Sequence, residues 1–103
     1  MFAFDDVSIP WTRGVQLEMQ LPEKHPANPV VERGREGGPD CRRATSPCVV
    51  REGNLWRMWY GAKDDSGDAG GLRVAYAESD DGVVWRKPNL GLVEYHGSRA
   101  NNL

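Results

Sequence analysis

The sequence is poor in residues that bind metals, with two cysteines and two histidines among its 103 residues. Cys41 and Cys48 are seven positions apart, and no CxxC pair accompanies them. Structural zinc sites need four such ligands, usually as two closely spaced pairs. His25 and His96 are isolated from each other and from the cysteines along the chain. We therefore expect no metal site and no cofactor.

The two cysteines leave two alternatives open. A disulfide between Cys41 and Cys48 would require the segment between them to turn. Cys48 also lies inside an apolar run, 46–51, and a free cysteine in such a place is usually a small buried hydrophobe. The second alternative is favoured.

The chain also lacks a strong excess of charge and any long apolar run. Its formal net charge is −2, which gives no electrostatic reason to expect nucleic acid or a membrane as a partner. No apolar run approaches the roughly 18 residues of a transmembrane helix. The N-terminus has acids, Asp5 and Asp6, where a signal peptide needs basic and then apolar residues. As written the chain is expected to be cytoplasmic, or secreted or periplasmic if its true N-terminus is missing.

What the sequence does contain is a series of four short apolar runs between residues 46 and 85. The runs are 46–51, 55–61, 72–77 and one that begins at 83. Glycine-containing turns, 52–54 and 79–82, and a polar loop, 63–71, separate them. Four antiparallel strands in roughly forty residues are typical of one blade of a β-propeller. The pattern predicts an all-β fold with almost no α-helix.

Both faces of this predicted sheet are apolar. Alternation along the second strand places Trp56, Met58 and Tyr60 on one face, and Leu55 and Trp59 on the other. Large exposed apolar surfaces are uncommon on monomers, so we expect neighbours on both faces. Alone, such a sheet is expected to be poorly stable, and self-association is an open alternative. Trp59, with Trp85, is predicted to be a packing residue rather than a sugar platform.

Three regions are predicted along the chain. Residues 1–45 hold an N-terminal strand, 15–21, whose apolar residues alternate, followed by proline-rich connecting loops. Residues 46–87 form the four-stranded blade. Residues 88–103 are expected to be a linker toward a further blade that the chain does not contain.

Several segments of the sequence belong together in one pattern: Asn28–Val30, Ser46–Val50, Arg57–Tyr60, Ala75–Trp85, Lys87–Gly91 and Gly97–Asn102, with Phe4–Asp6 and Pro22–Pro26 before them. Together they resemble the opening of a five-bladed propeller glycosidase. The similar enzymes belong to the invertase, levansucrase and arabinanase superfamily, including the family 32-like and family 43-like hydrolases. Segment 79–85 is also similar to the sialidase Asp-box, although it lacks one residue between the aspartate and the glycine; we expect it to be a structural turn.

The resemblance implies where a site would lie. In the similar glycosidases the sugar sits at the edge where the first strand begins, so segments 31–46 and 62–71 are the candidate site elements. Those enzymes usually carry an aspartate before the proline of the first strand, but Ser46 stands there in this chain. Asp40 is the nearest acid upstream and is the candidate catalytic residue, with a loop role as its alternative. Asp64 and Asp65, in the other loop, are the candidate substrate-binding residues.

The function expected from the resemblance is that of a fragment of a carbohydrate-active, glycoside hydrolase-like propeller. Its partner would be a carbohydrate substrate or ligand. Glycoside hydrolysis needs two carboxylates about the scissile bond, and the resemblance places the general acid in a later blade. The chain alone is therefore expected to be inactive. The alternative is a non-catalytic propeller module that binds carbohydrate or another protein, and the replacement of the expected aspartate by Ser46 favours it.

Overall fold

The fold is a three-stranded antiparallel β-sheet, described by a computed structural model for residues 13–14, 18–66 and 71–103. Strand β1 spans Arg43–Glu52, β2 spans Leu55–Lys63 and β3 spans Leu72–Ser79. The strands lie in sequence order, β1-β2-β3. The described residues form no helix, and hence none long and apolar enough to cross a membrane. The all-β prediction is confirmed.

Two glycine-containing turns lie at the same end of the sheet. A two-residue loop joins β1 to β2, and its Gly53 has a φ of 60°, which glycine adopts without strain. At the end of β3 the carboxylate of Asp81 accepts the backbone N–H groups of Val83 and Val84. These bonds hold the pKa of Asp81 below its usual value. Gly82 follows with a φ of 77°. Segment 79–82 is therefore the structural turn that the sequence predicts.

The predicted fourth strand is wrong within the described residues. Val83 and Val84 lie in the turn that Asp81 organises, and pairing with β3 is limited to a single bridge between Arg86 and Glu78. Pro88 has no N–H to continue that pairing. A distant segment contacts the same edge instead. The N–H of Tyr76 donates to the Asn102 carbonyl (2.8 Å), and the Asn102 side-chain amide donates to the Tyr76 carbonyl (2.8 Å).

The predicted N-terminal strand is not found in its described part. Residues 18–21 belong to no strand, and Met19 and Leu21 are 83% and 87% exposed. Val15, Gln16 and Leu17 lie outside the described residues. Because these residues do not pair with β1, β2 or β3, the apolar side chains of Met19 and Leu21 have no sheet surface to pack on.

The core lies on one face of the sheet, which we call the inner face. Cross-strand pairs place Met58 opposite Ala77 and Tyr60 opposite Ala75. These side chains are buried, and the small alanines leave room for the two large residues of β2. Trp85 packs against the same cluster, and its indole N–H donates to the carbonyl of Gly82 (3.0 Å). The predicted packing role of Trp85 agrees with this contact.

The other face, which we call the outer face, was expected to be covered by a neighbour, but large side chains on it are exposed among the described residues. It carries Trp59 and Tyr76 opposite each other, with ring centroids 5.6 Å apart. Trp59 is 39% exposed, which does not match a buried packing residue. Cys48, its partner on β1, is exposed, so the prediction of a buried thiol is wrong. Cys41 and Cys48 are both free.

Candidate functional site

The strand register brings the two predicted site loops to the same edge of the sheet, by which we mean the end where β1 and β3 begin and β2 ends. Arg43 of β1 pairs with Lys63 of β2, and Lys63 pairs with Leu72 of β3. The backbone N–H of Arg42 also donates to the Lys63 carbonyl (2.9 Å). The approach to β1 and the connection from β2 to β3 therefore start from one edge, as the sequence predicts. The two tight turns lie at the opposite edge.

Asp40 is buried at this edge and is held by two donors. Its side chain is 3% exposed. Its Oδ2 accepts hydrogen bonds from the hydroxyl of Tyr60 (2.8 Å) and from the ammonium group of Lys87 (2.6 Å). Lys87 also donates to the carbonyl of Glu32 (2.6 Å), so it ties the loop before β1 to the segment after β3. Burying a carboxyl group without hydrogen-bond partners is costly, and these donors offset that cost for Asp40.

Tyr60 extends this contact into the core. The side-chain amide of Asn102 donates to the Tyr60 hydroxyl (2.9 Å), which in turn donates to Asp40. Burial, with the bond to Asp40, raises the pKa of Tyr60 above its usual value, so it remains a donor. The backbone of Gly34 approaches Asp40 so closely that a Cβ there would clash with Oδ1. Glycine at position 34 is therefore required by the position of Asp40.

Asp64 is the second buried carboxylate, also with a 3% exposed side chain. It accepts the backbone N–H of Ser66 (3.0 Å), the guanidinium of Arg73 (3.0 Å) and the hydroxyl of Tyr95 (2.8 Å). The bonds from Ser66 and Tyr95, with the charge of Arg73, hold the pKa of Asp64 far below its usual value. Burial and the bond to Asp64 raise the pKa of Tyr95 to about 12.

Asp65 is exposed, unlike its neighbour Asp64. It forms an ion pair with Arg42 (3.1 Å) and accepts a weak hydrogen bond from the Cys41 thiol (3.6 Å). Both charged side chains of the pair are more than half exposed, so the pair contributes little to stability. Asp65 is available to solvent, whereas Asp40 and Asp64 are not.

Two clefts open beside these acids. The first, which we call the Asp40 cleft, has a volume of about 650 Å³ and lies between loop 34–40 and segment 87–102. The second, the Asp65 cleft, measures about 660 Å³ and shares Gly34 and Glu36 with the first. The structure therefore places Asp40 and Asp65 in separate clefts. The side chains that give the Asp40 cleft its chemistry are those of Arg35, Glu36, Asp40, Lys87, Asn89, Tyr95 and His96.

Ser46 lies at an irregularity of the edge strand. The register of β1 shifts between Thr45 and Cys48, and Ser46 has a φ of 51°, which few non-glycine residues adopt. Its side chain is exposed and faces Thr45, with the two hydroxyl oxygens 3.5 Å apart. The bulge and Pro47 interrupt the regular pairing pattern of this edge.

Sequence reasoning missed the partners of the two buried acids. Arg73 lies on β3, and Lys87 and Tyr95 lie in the segment after it; nothing in their local sequence marks them as partners of an aspartate. The one available signal was the proximity of Lys87 to Trp85, which places a cation at the last position of the predicted blade, 46–87. Among the described residues, no group of three His, Cys, Asp or Glu side chains is placed to hold a metal ion.

Comparisons with known proteins give two relatives, both from Mycobacterium tuberculosis. Uncharacterized protein Rv1502 of strain ATCC 25618 / H37Rv is 32% identical over 99 residues, which is 89% of this chain and 32% of that protein. Uncharacterized protein MT1551 of strain CDC 1551 / Oshkosh is 38% identical over 50 residues, 48% of this chain and 15% of that protein. The chain thus spans no more than about a third of the length of these curated relatives. No protein-family model and no solved structure matches the chain.

Proposed function

We propose that the chain is the first-blade part of a glycoside hydrolase-like, carbohydrate-active β-propeller protein, and that alone it binds carbohydrate without cleaving it. The observation that carries the proposal is the Asp40 cleft, at the edge of the sheet that the sequence predicts. Its wall combines the Asp40–Lys87 pair with the aromatic ring of Tyr95. Sugar hydroxyls both donate and accept hydrogen bonds, and an aromatic ring suits their apolar C–H faces.

The propeller part of the proposal is supported by the order of the strands. Three antiparallel strands in sequence order, joined by a two-residue turn and an eight-residue loop, match the inner part of an up-and-down blade. Arg86 and Asn102 contact the outer edge of β3, where a fourth strand of such a blade would lie. The match to Rv1502 covers 32% of that protein, which is compatible with one part of a longer repeat fold.

The proposed lack of hydrolysis is supported by the hydrogen bonds, pKa values and exposure of the carboxyl groups near the cleft. A glycosidase needs one carboxyl group that holds a proton and a second carboxylate within about 5–9.5 Å. Both donors of Asp40, Lys87 and Tyr60, already bind its Oδ2, and the depressed pKa of Asp64 makes Asp64 unsuitable as a proton donor. Glu36 is the other carboxylate of the Asp40 cleft, but it is exposed on its loop. General acids of this class are usually buried or beside a like charge.

A second candidate is a propeller that never cleaves carbohydrate and serves as a binding module. It is favoured by a specific observation: a cation pairs with each of the three predicted acids, Asp40, Asp64 and Asp65. The two candidates differ in whether a second carboxylate reaches the Asp40 cleft from outside these 103 residues. They make the same prediction for the chain alone.

The test is binding of the purified chain to an array of oligosaccharides, followed by calorimetric titration of the best ligand. Asn89→Ala and His96→Ala remove exposed side chains of the Asp40 cleft, leave the Asp40–Lys87 pair in place, and should weaken binding. Asp65→Asn, in the other cleft, is the control and should bind as wild type does. An affinity that is unchanged in Asn89→Ala and His96→Ala, or no binding to any sugar, would refute the proposal.

Hydrolysis is tested on the same preparation with a panel of aryl glycosides and plant oligosaccharides. No turnover above background is expected. Turnover that disappears in Asp40→Asn or Glu36→Gln would show that the chain is a complete enzyme, and would contradict the inactivity that we propose.

A further inference from the structure

The outer face of the sheet is a continuous apolar surface. Leu72 and Val74 of β3 are 64% and 67% exposed, and Val50 of β1 and Trp59 of β2 are also exposed. The register places all four on the face opposite the core. Soluble monomers seldom leave such an array of adjacent apolar side chains in water. Something is expected to cover it.

This face is not flat, because it contains a socket beside Trp59. The socket has a volume of about 260 Å³ and is mostly apolar. Leu92, at its rim, is 70% exposed. A socket of this kind can receive an apolar side chain from an opposing surface, which gives a contact shape as well as hydrophobicity. Its lining residues are Trp59, Val74, Ala75, Tyr76, Leu90, Leu92, Asn102 and Leu103.

The two ends of the outer face differ in charge. At one end Arg43 and Lys63 lie directly opposite each other on neighbouring strands. Among the described residues neither forms an ion pair, and like charges in this position are destabilising. At the other end lie Glu52 and Glu78, which form ion pairs with Arg57 and Arg86. Glu52 has a side chain that is 67% exposed and available for a further contact.

We infer that the outer face docks on the outer face of a second copy of this chain, about a two-fold axis that runs across the strands. Such an axis reverses the strand direction and lays the Arg43–Lys63 end of one copy over the Glu52 end of the other. An axis along the strands would instead stack the basic ends on each other. The charge pattern thus selects one closed, symmetric arrangement, in which each favourable contact occurs twice.

The charge pattern also favours a second copy over other occupants. A surface that carries its own complement, basic at one end and with exposed Glu52 at the other, matches itself without any further partner. The inference does not depend on the proposed carbohydrate function, because no strand residue of the outer face lines the Asp40 cleft, and the cleft shares only Asn102 with the socket.

The first experiment is sedimentation equilibrium of the full chain over a wide range of concentration. A reversible monomer–dimer equilibrium is expected. Val74→Lys should shift it to monomer, and it should not disturb folding, because this side chain is two-thirds exposed. Leu21→Lys is the matched control, an exposed leucine outside the sheet, and should dimerise as wild type does.

Every other result overturns the inference. Wild type that stays monomeric shows that a different partner, or none, covers the face. Growth beyond dimers shows an open contact rather than a closed one. Dimers that survive Val74→Lys form elsewhere, for example along the edge of β1. Equal loss of dimer in Leu21→Lys shows non-specific association.

The second experiment tests the axis through exposed charges, and so does not depend on the Val74 variant. Glu52→Lys should raise the dimer dissociation constant by about tenfold or more, because it sets like charges against each other twice. Adding Lys63→Glu should restore much of the loss. Glu52→Gln controls for the exposed Glu52–Arg57 pair that these changes also break. A double variant no tighter than Glu52→Lys alone would rule out the proposed axis.

Discussion

Lys87 and Asp40 are 47 positions apart in the sequence, and their Nζ and Oδ2 atoms lie 2.6 Å apart in the structure. This pair joins the loop that enters β1 to the segment that leaves β3. Because Tyr60 on β2 bonds the same oxygen, three parts of the chain meet at one carboxylate. The Asp40 cleft owes its shape to this meeting point.

Removal of the cation at this point should destabilise the fold. In Lys87→Met, Asp40 stays buried and keeps the hydrogen bond from the Tyr60 hydroxyl but loses its cation. We expect a loss of about 2–4 kcal/mol in the free energy of unfolding. Arg42→Met breaks the exposed pair with Asp65 and should cost less than about 1 kcal/mol. Urea denaturation of both variants at one protein concentration measures the difference. Equal losses would mean that the Asp40 pair behaves like a surface pair.

Gly34→Ala should disturb the same carboxylate from the other side. The added Cβ would clash with Oδ1 of Asp40, and Asp40 cannot move freely because Lys87 and Tyr60 hold it. We expect lower stability than wild type. The check is a double-mutant cycle with Asp40→Ala, in which the Gly34→Ala change should cost clearly less once the carboxylate is gone. Additive costs would show that the clash is relieved in some other way.

Asp64 should make the stability sensitive to acid. Its pKa is lowered in the folded state, so its contribution is complete above the unfolded-state value of 3.8 and is lost as the pH falls toward the folded-state value. The urea midpoint of wild type should therefore fall between about pH 5 and pH 2, and that of Asp64→Asn should fall less over the same range. Parallel curves for the two proteins would exclude Asp64 as a source of the acid sensitivity.

Trp85 should contribute to stability through its contacts with the core cluster. Trp85→Ala removes a half-buried ring and its hydrogen bond to Gly82, and we expect a loss of about 2–4 kcal/mol. Trp85→Phe, which keeps part of the ring contact, should lose less. Thermal and urea unfolding of both variants would measure this. A Trp85→Ala protein of wild-type stability that had lost only sugar binding would make Trp85 a ligand platform instead.

The sequence predicted the sheet better than it predicted the site, for reasons that particular residues show. Alternation and turn glycines are local signals, so β1, β2 and β3 and the turn at Gly82 were found. The prediction of a fourth strand was wrong because the carboxylate of Asp81 accepts hydrogen bonds from the N–H groups of Val83 and Val84. The apolar pattern of the sequence does not reveal these bonds. Asp40 could be singled out from the sequence as an acid in the loop before β1. Its partner Lys87 could not, because that contact exists only after the chain has folded.

The most direct test of the account is a map of backbone amide NMR shifts on titration of the chain with an oligosaccharide panel. Binding in the Asp40 cleft predicts saturable shifts that cluster at Arg35, Asn89, Tyr95 and His96, with Val74 and Leu72 on the outer face unchanged. Shifts confined to the Asp65 cleft or the outer face, or no shifts with any sugar, would contradict the account.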